Sequence, residues 1–239
     1  LEKLQSTRSL TKYIIFSLGC IGALFLMRDF GTALIFFATF MVIAFLRSGD
    51  IKTIGLLSAV AVVGAAMIIY FRPHVASRFE TYRHVWEYAN EGGFQQTRVL
   101  IYASSGGLFG LGIGEGRLKN VFASTTDLIF GIICEEWGMI VAFCVVLCFA
   151  FVAVYALRLA RNARSTVYTI AAVASAAMLL VQLALNVFGV TDLLPLTGVT
   201  LPFISRGGTS MICSWALFAF IKSADIKTYP KLEKQMDDA

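Results

Sequence analysis

Charge is scarce in this sequence. Of 239 residues, 15% are Asp, Glu, Lys or Arg, where a soluble domain carries about a quarter. Hydrophobic residues make up 58%, and the mean hydropathy is +0.76. A water-soluble globule would lack the polar surface to cover so much apolar mass, so the expected solvent is a bilayer, which about 20 apolar residues can cross. Metal-type cysteine pairs are also missing. Cys20, Cys134, Cys144, Cys148 and Cys213 all lie in apolar runs without a CxxC spacing. They read as core or lipid-facing residues, which excludes a disulfide framework and a zinc site. A signal-peptide pattern is absent: the chain opens LEKLQSTRSLTK, polar and basic, without an initiator Met. The expectation is a piece of a longer protein. The net charge of +5 is modest and is read as Lys and Arg on cytoplasmic loops, not as a nucleic-acid surface.

Six hydrophobic segments are present: Tyr13–Met27, Thr32–Leu46, Thr53–Phe71, Leu128–Leu157, Val167–Val187 and Gly208–Lys222. They predict an all-α polytopic membrane protein, residues 1–239 forming one integral-membrane domain. With the N-terminus inside, the inner segments hold clusters such as Lys3, Arg8, Lys12 and Arg158, Arg161, Arg164, whereas the short outer segments hold only Arg28 and Arg206. Both termini are therefore expected in the cytoplasm, with the long loop 72–127 outside. Within that loop, RFETYRHVWEYAN mixes aromatics and charge at helical spacing and suits an interfacial helix. TRVLIYASSGGLFGLGIG is apolar, yet too short and too rich in glycine to span, and suits a re-entrant segment. Paired broken helices in matching halves, which would suggest an inverted-repeat transporter, are not seen.

Four stretches offer chemistry. In STTDLIFGIICEEWGMI, Asp127 stands at the mouth of a span and Glu135 and Glu136 lie about two turns deeper. A carboxylate in a span is costly and faces a cavity or partner. On a continuous helix Glu135, at i+8, shares roughly the face of Asp127. Asp127 is equally consistent with a helix N-cap, and the Glu pair with a structural anchor. GLGIGEG follows no strand and opens no βαβ unit, which excludes a dinucleotide fingerprint. Arg117 and Lys119 behind it suit a phosphate or pyrophosphate, or simple headgroup anchoring. RDFGT, at 28–32, reads as a local ion pair with a glycine turn. Finally, NVFGVTDLLPLTGVTLPFISRGGTSM breaks the apolar sequence before the last span. Pro202 cannot continue a helix, Gly207 and Gly208 permit unusual backbone angles or close contact, and Ser205, Arg206 and Thr209 can bind backbone or ligand.

PLTGVTLPFISRGGTS resembles the C-terminal signature of the SEDS family (shape, elongation, division and sporulation), which includes RodA, FtsW and SpoVE. RDFGTALIFFATFMVIAFLRSGD is similar to the family's Asp-Leu-Gly-Thr segment, with Phe30 for Leu. GGFQQTRVLIYASSGGLFGLGIGEGRLK resembles the loop that reads Gly-Tyr-Gln and then a Ser-Gly-Gly-Leu-Gly-Gly-type run. Its glutamine matches Gln95. TTDLIFGIICEEWGMI resembles the His-Thr-Asp-Phe-Ile-Phe…Glu-Glu-Leu-Gly block, with Thr125 for His. Arg206 stands where the family has Tyr, Thr209 where it has Ser, and the early Asp-Pro is absent around Glu80–Trp86. Family members carry about ten spans, so six correspond to a C-terminal portion.

The resemblance implies a peptidoglycan glycosyltransferase of the bacterial cytoplasmic membrane that polymerises lipid II during elongation, division or sporulation. It makes Asp127 the essential acid, catalytic or holding a divalent cation (Mg or Mn), with Glu135 and Glu136 in support. Arg117, Lys119, Ser205, Arg206, Gly207, Gly208 and Gln95 become candidate contacts to the undecaprenyl-pyrophosphate-linked glycan. A class B penicillin-binding transpeptidase is the implied protein partner. The alternatives are a flippase of lipid-linked precursors and a non-catalytic scaffold for such a transpeptidase.

Overall fold

The computed structural model describes residues 29–48, 80–163 and 165–225, with single residues and short pieces between 12 and 59. Among them every regular element is helical. Helix α1 is Phe30–Ser48 and α2 is Phe94–Ser105. Helix α3 runs Ile129–Arg161 and contains a π turn at Ile133–Trp137. Helix α4 is Thr166–Val190 and α5 is Gly208–Ser223. A 3₁₀ turn at Leu118–Asn120 lies between α2 and α3.

The apolar runs account for these helices. α3 and α4 are long and apolar enough to cross a membrane, and Gly31–Leu46 is a shorter apolar helix. The apolar segments at 32–46, 128–157, 167–187 and 208–222 coincide with helices α1, α3, α4 and α5. Those at 13–27 and 53–71 fall largely outside the described residues. α3 shows its apolar side chains outward, with Met139, Phe143, Leu147, Phe151 and Leu157 exposed. Water would not tolerate that face, whereas lipid tails would.

α4 is the central element and packs against α1, α3 and α5. Its buried side includes Ala172, Ala174, Ser175, Ala176 and Gly189. Such small residues let helix backbones approach closely, which is the main source of cohesion where lipid removes the hydrophobic drive. One apolar core joins the ends of these helices to the loop between α2 and α3: Val99, Leu118, Leu128, Phe130, Leu183 and Val190 belong to a single buried cluster. A smaller cluster of Ile35, Leu185 and Val199 ties α1 and α4 to the stretch before α5.

One expectation for the loop changes. Residues 82–93 run as successive turns instead of a helix. Arg83 adopts φ 63°, and its N–H donates to Asp192 Oδ1 (3.5 Å) instead of to a helical carbonyl. Tyr82 Oη donates to Leu193 O (2.8 Å), which fastens the start of this stretch to the turn that follows α4. The apolar run that follows divides into the 12-residue α2 and a non-helical glycine segment. At about 1.5 Å per residue, α2 is too short to cross a bilayer.

Candidate active site

Asp127 lies in a knot of turns one residue outside the residue that flanks α3, Leu128. The knot is built on Ala123, which takes a left-handed φ of 60°. Its carbonyl accepts the N–H groups of Thr126 (3.2 Å), Asp127 (3.0 Å) and Leu128 (3.3 Å). A left-handed non-glycine residue costs energy and persists only where its surroundings hold it. Two outside elements do so here. Asn186, buried in α4, donates through Nδ2 to Asp127 O (2.8 Å) and to Val199 O (2.7 Å). Ser205 Oγ donates to Thr126 O (2.6 Å) and accepts the Leu201 N–H (2.8 Å). Arg206 adds a backbone bond, N–H to Thr125 O at 2.9 Å. The signature before α5 and the Thr125–Asp127 block are thus one structure.

The half-buried Asp127 carboxylate borders Gly198, where an added Cβ would lie 3.5 Å from Asp127 Oδ2. Gly198 also lines a cavity of about 440 Å³ between α1, α4 and α5. Asp29, Thr32, Gln182, Thr200, Ser210 and Ser214 supply its polar groups, among Ile35, Phe36, Met178 and Leu217. Gly31 lets α1 reach this wall, since a Cβ there would meet Val199 Cγ2 at 2.6 Å. Asp29 Oδ1 accepts the Thr32 N–H (3.0 Å) and so caps α1. Arg28 lies outside the described residues, so the expected local ion pair is not described.

The glutamates do different work from the one a continuous helix suggests. Asp127 is not helical, so the i+8 relation to Glu135 does not apply. Glu135, 1% exposed, accepts the Arg117 N–H (2.7 Å) and the Leu118 N–H (2.9 Å). Glu136 accepts the Gly114 N–H (3.0 Å). The π turn adds main-chain pairing: Leu111 N–H to Glu135 O (2.9 Å) and Gly112 N–H to Glu136 O (3.1 Å). Glycines make this possible. A Cβ at Gly106 would overlap Cys134 O, one at Gly110 would overlap Glu136 O, and Gly138, at φ 84°, lies against Leu108 O. The SSGGLFGLGIGEG run is therefore a backbone splint laid on the π turn of α3.

The remaining candidates separate. Arg117, Lys119 and Arg206 are exposed and hold no ion pair among the described residues. Lys119 Nζ donates to Gly114 O. Gln95 Nε2 donates to Phe122 O (3.2 Å) and thereby braces the loop that leads to Asp127. Its neighbour Gln96 is the buried one, donating to Gly189 O (2.8 Å) and Asp192 Oδ1 (3.0 Å). The Gly207–Gly208 pair does not need glycine. Gly207 has φ 171°, extended backbone open to any residue, and an added Cβ on Gly208 meets nothing within 4 Å. The unusual angle belongs to Phe203, at φ 64°.

This arrangement can be compared with known proteins. A family model described as cell cycle protein, FtsW/RodA/SpoVE, matches residues 2–229. The chain belongs to the FtsW/RodA/SpoVE family. Stage V sporulation protein E of Bacillus subtilis is 31% identical over 216 residues, covering 88% of this chain and 59% of the relative. The probable peptidoglycan glycosyltransferase FtsW of the same organism is 33% identical over 210 residues, 83% of this chain and 52% of the relative. The peptidoglycan glycosyltransferase RodA of Mycobacterium leprae is 30% identical over 195 residues, 81% and 42%. The chain thus spans about half the length of these relatives. Among solved structures, a chain from work on "structural coordination of polymerization and crosslinking by a peptidoglycan synthase complex" shares the fold, with TM-score 0.71 at 22% identity, over 92% of this chain and 62% of that one.

For this FtsW/RodA/SpoVE chain, the motifs contain three further site elements whose contacts they do not announce. Asn186 and Gln96 clamp the turns around Asp127 and Asp192, and Gly198 brings the Asp127 carboxylate to the cavity wall. An amide in an apolar run is the sequence signal for Asn186, whereas Gln96 sits in the polar stretch GGFQQTR. No local signal marks the third, because its neighbour is far away in the chain.

Proposed function

We propose that this chain carries the glycosyl-transfer site of a peptidoglycan polymerase acting on lipid II at the outer face of the bacterial cytoplasmic membrane. The fold is six spans with both termini inside, and loop 72–127 lies outside, its α2–glycine segment re-entering the membrane surface. The acceptor sugar's 4-hydroxyl attacks the donor's anomeric carbon. The new C–O bond forms as the bond to undecaprenyl pyrophosphate breaks, with inversion. Asp127 takes the hydroxyl proton as general base. The exposed cations Arg117, Lys119 and Arg206 neutralise the departing pyrophosphate, where arginine adds bidentate contacts.

The observation that supports this reading is the half-buried Asp127 carboxylate. It lies beside Gly198, which lines the cavity between α1, α4 and α5, on a loop clipped in place by Asn186, Ser205 and the Arg206 N–H. The names of the glycosyltransferase relatives point the same way. No group of three or more His, Cys, Asp or Glu that could hold a metal occurs among the described residues. A single carboxylate does fit Mg²⁺ or Mn²⁺ that draws its other ligands from substrate phosphates and water. As the alternative to acting as base, Asp127 would hold such an ion, which would supply positive charge at the leaving group. The solved relative's context of polymerisation with crosslinking supports a class B penicillin-binding transpeptidase as partner.

The test is lipid II polymerisation by the protein purified from its native membrane with its partner. Asp127→Asn preserves size and removes the base. Glycan strands should vanish from the product while the protein still accumulates. Undiminished polymerisation by Asp127→Asn would overturn the reading.

A further inference from the structure

We infer that Glu135 is a positioning residue for this reaction: its buried carboxylate grips two consecutive backbone amides and thereby fixes the segment Arg117–Asp127. The inference rests on the reading of Asp127 given above. A carboxylate in a membrane span is costly and needs partners. Glu135 spends both oxygens on the main chain, Oε1 on Arg117 N–H (2.7 Å) and Oε2 on Leu118 N–H (2.9 Å). Gly116 admits both glutamates, since a Cβ there would sit 2.7 Å from Glu136 Cγ and 2.9 Å from Glu135 Oε2.

From this grip the chain has little freedom as far as Asp127. Residues Leu118–Asn120 form a 3₁₀ turn, and Leu118 is fully buried in the same cluster as Leu128. Ser124 Oγ donates to Lys119 O (3.2 Å), and the Ala123 carbonyl gathers the N–H groups of Thr126, Asp127 and Leu128. Arg117 and Lys119 sit at one end of this short path and Asp127 at the other. Glu135 therefore sets the spacing between the cations and the carboxylate without touching substrate. Local π turns recur at functional sites, and this one presents Glu135 to the loop. Glu136 is the internal contrast: partly exposed, it accepts only the Gly114 N–H, four residues before Leu118.

The experiment pairs hydrogen exchange with kinetics on the purified protein in lipid nanodiscs, with its transpeptidase partner. In Glu135→Gln the side chain keeps its size but offers one acceptor where two amides need acceptors. Exchange in the peptide containing Arg117 and Leu118 should rise about tenfold or more. Turnover of lipid II should fall about 10- to 100-fold with little change in KM, as expected for a misplaced reacting group. Glu135→Asp, which retains both oxygens, should recover part of both effects, and it serves in place of the Gln variant if that does not accumulate. Glu136→Gln, which touches only the Gly114 amide, should leave exchange at 117–118 near wild type. Unchanged exchange at 117–118 overturns the inference, as does loosened exchange with normal turnover. A fully active Asp127→Asn overturns the reading of Asp127 itself, whereas an inactive Asp127→Asn beside a fully active Glu135→Gln overturns the inference alone.

Discussion

Two acidic regions lie eight residues apart in this chain and solve opposite problems. At Asp127 the backbone is held by others: an α4 amide, a serine from the signature before α5, and the carbonyl of Ala123. At Glu135 and Glu136 the carboxylates do the holding, and what they hold is backbone amides of a glycine loop. Burial separates the two cases. Glu135 is 1% exposed and its oxygens face N–H donors, whereas Asp127 is half-buried beside the cavity wall at Gly198. The carboxylate deepest in the apolar sequence thus grips backbone amides, and the shallower one is the carboxylate we propose for the chemistry. Depth alone is a poor guide to function in a membrane helix, and the hydrogen-bond partners decide the role.

The largest expected break in this comparison is at Asp127. Asp127→Asn should lower polymerisation about 10²- to 10⁴-fold, the usual contribution of a general base, and leave the melting temperature nearly unchanged, as a thermal-shift assay would show. A variant that melts much earlier would mean that Asp127, like Glu135, is a structural carboxylate.

Next is the support of Asp127. Asn186→Leu removes one side chain and strands two carbonyls, Asp127 O and Val199 O, in a buried site. Each stranded group costs about 1–3 kcal/mol. Both stability and turnover should therefore fall, unlike in Asp127→Asn. Ser205→Ala should show a smaller version of the same pattern, because Thr126 O loses a donor and the Leu201 N–H loses its acceptor. Loss of turnover with no loss of stability in Asn186→Leu would show that the amide acts on substrate and not on the loop.

The cations give a milder effect. Arg117→Ala leaves the N–H bond to Glu135 in place and deletes only an exposed side chain. A lost charge-assisted contact costs about 1.5–3 kcal/mol. The expectation is a weaker transition-state complex with unchanged amide exchange at 117–118. Kinetics indistinguishable from wild type would remove Arg117 from the site and leave only its amide in use.

The sequence pattern made the helices legible because apolar runs of this length have one solution in a bilayer. α3, α4 and α5 start and stop within a few residues of the expected limits. Asp127 was legible as a carboxylate at a helix mouth. An anchoring role for Glu135 was open in the sequence, but its partners were not, because they are amides 17 and 18 positions away, and an amide has no letter in the sequence. The turns at 82–93 hid for a related reason. Their spacing is helical, yet the Arg83 N–H goes to Asp192 and the Tyr82 hydroxyl to Leu193, both contributed by the turn that follows α4. The glycines of the 106–116 splint were visible as a run, but their purpose depends on carbonyls of the π turn that only the fold brings near.

The smallest expected effect concerns the glycine pair that first draws the eye. Gly208 begins α5, and an added Cβ there meets nothing. Gly208→Ala lowers the entropy of the unfolded chain and should stabilise by about 0.4–1 kcal/mol. Because Arg206 meets the Asp127 loop through its own N–H, nothing in the fold transmits a methyl at Gly208 to the site. Turnover should therefore stay at the wild-type level. A Gly208→Ala protein that melts later yet polymerises poorly would give the open space at Gly208 a different meaning: a place kept clear for substrate. The glycine would then be retained for the reaction and not for the backbone, the reverse of Gly138, whose left-handed φ and contact with Leu108 O serve the splint.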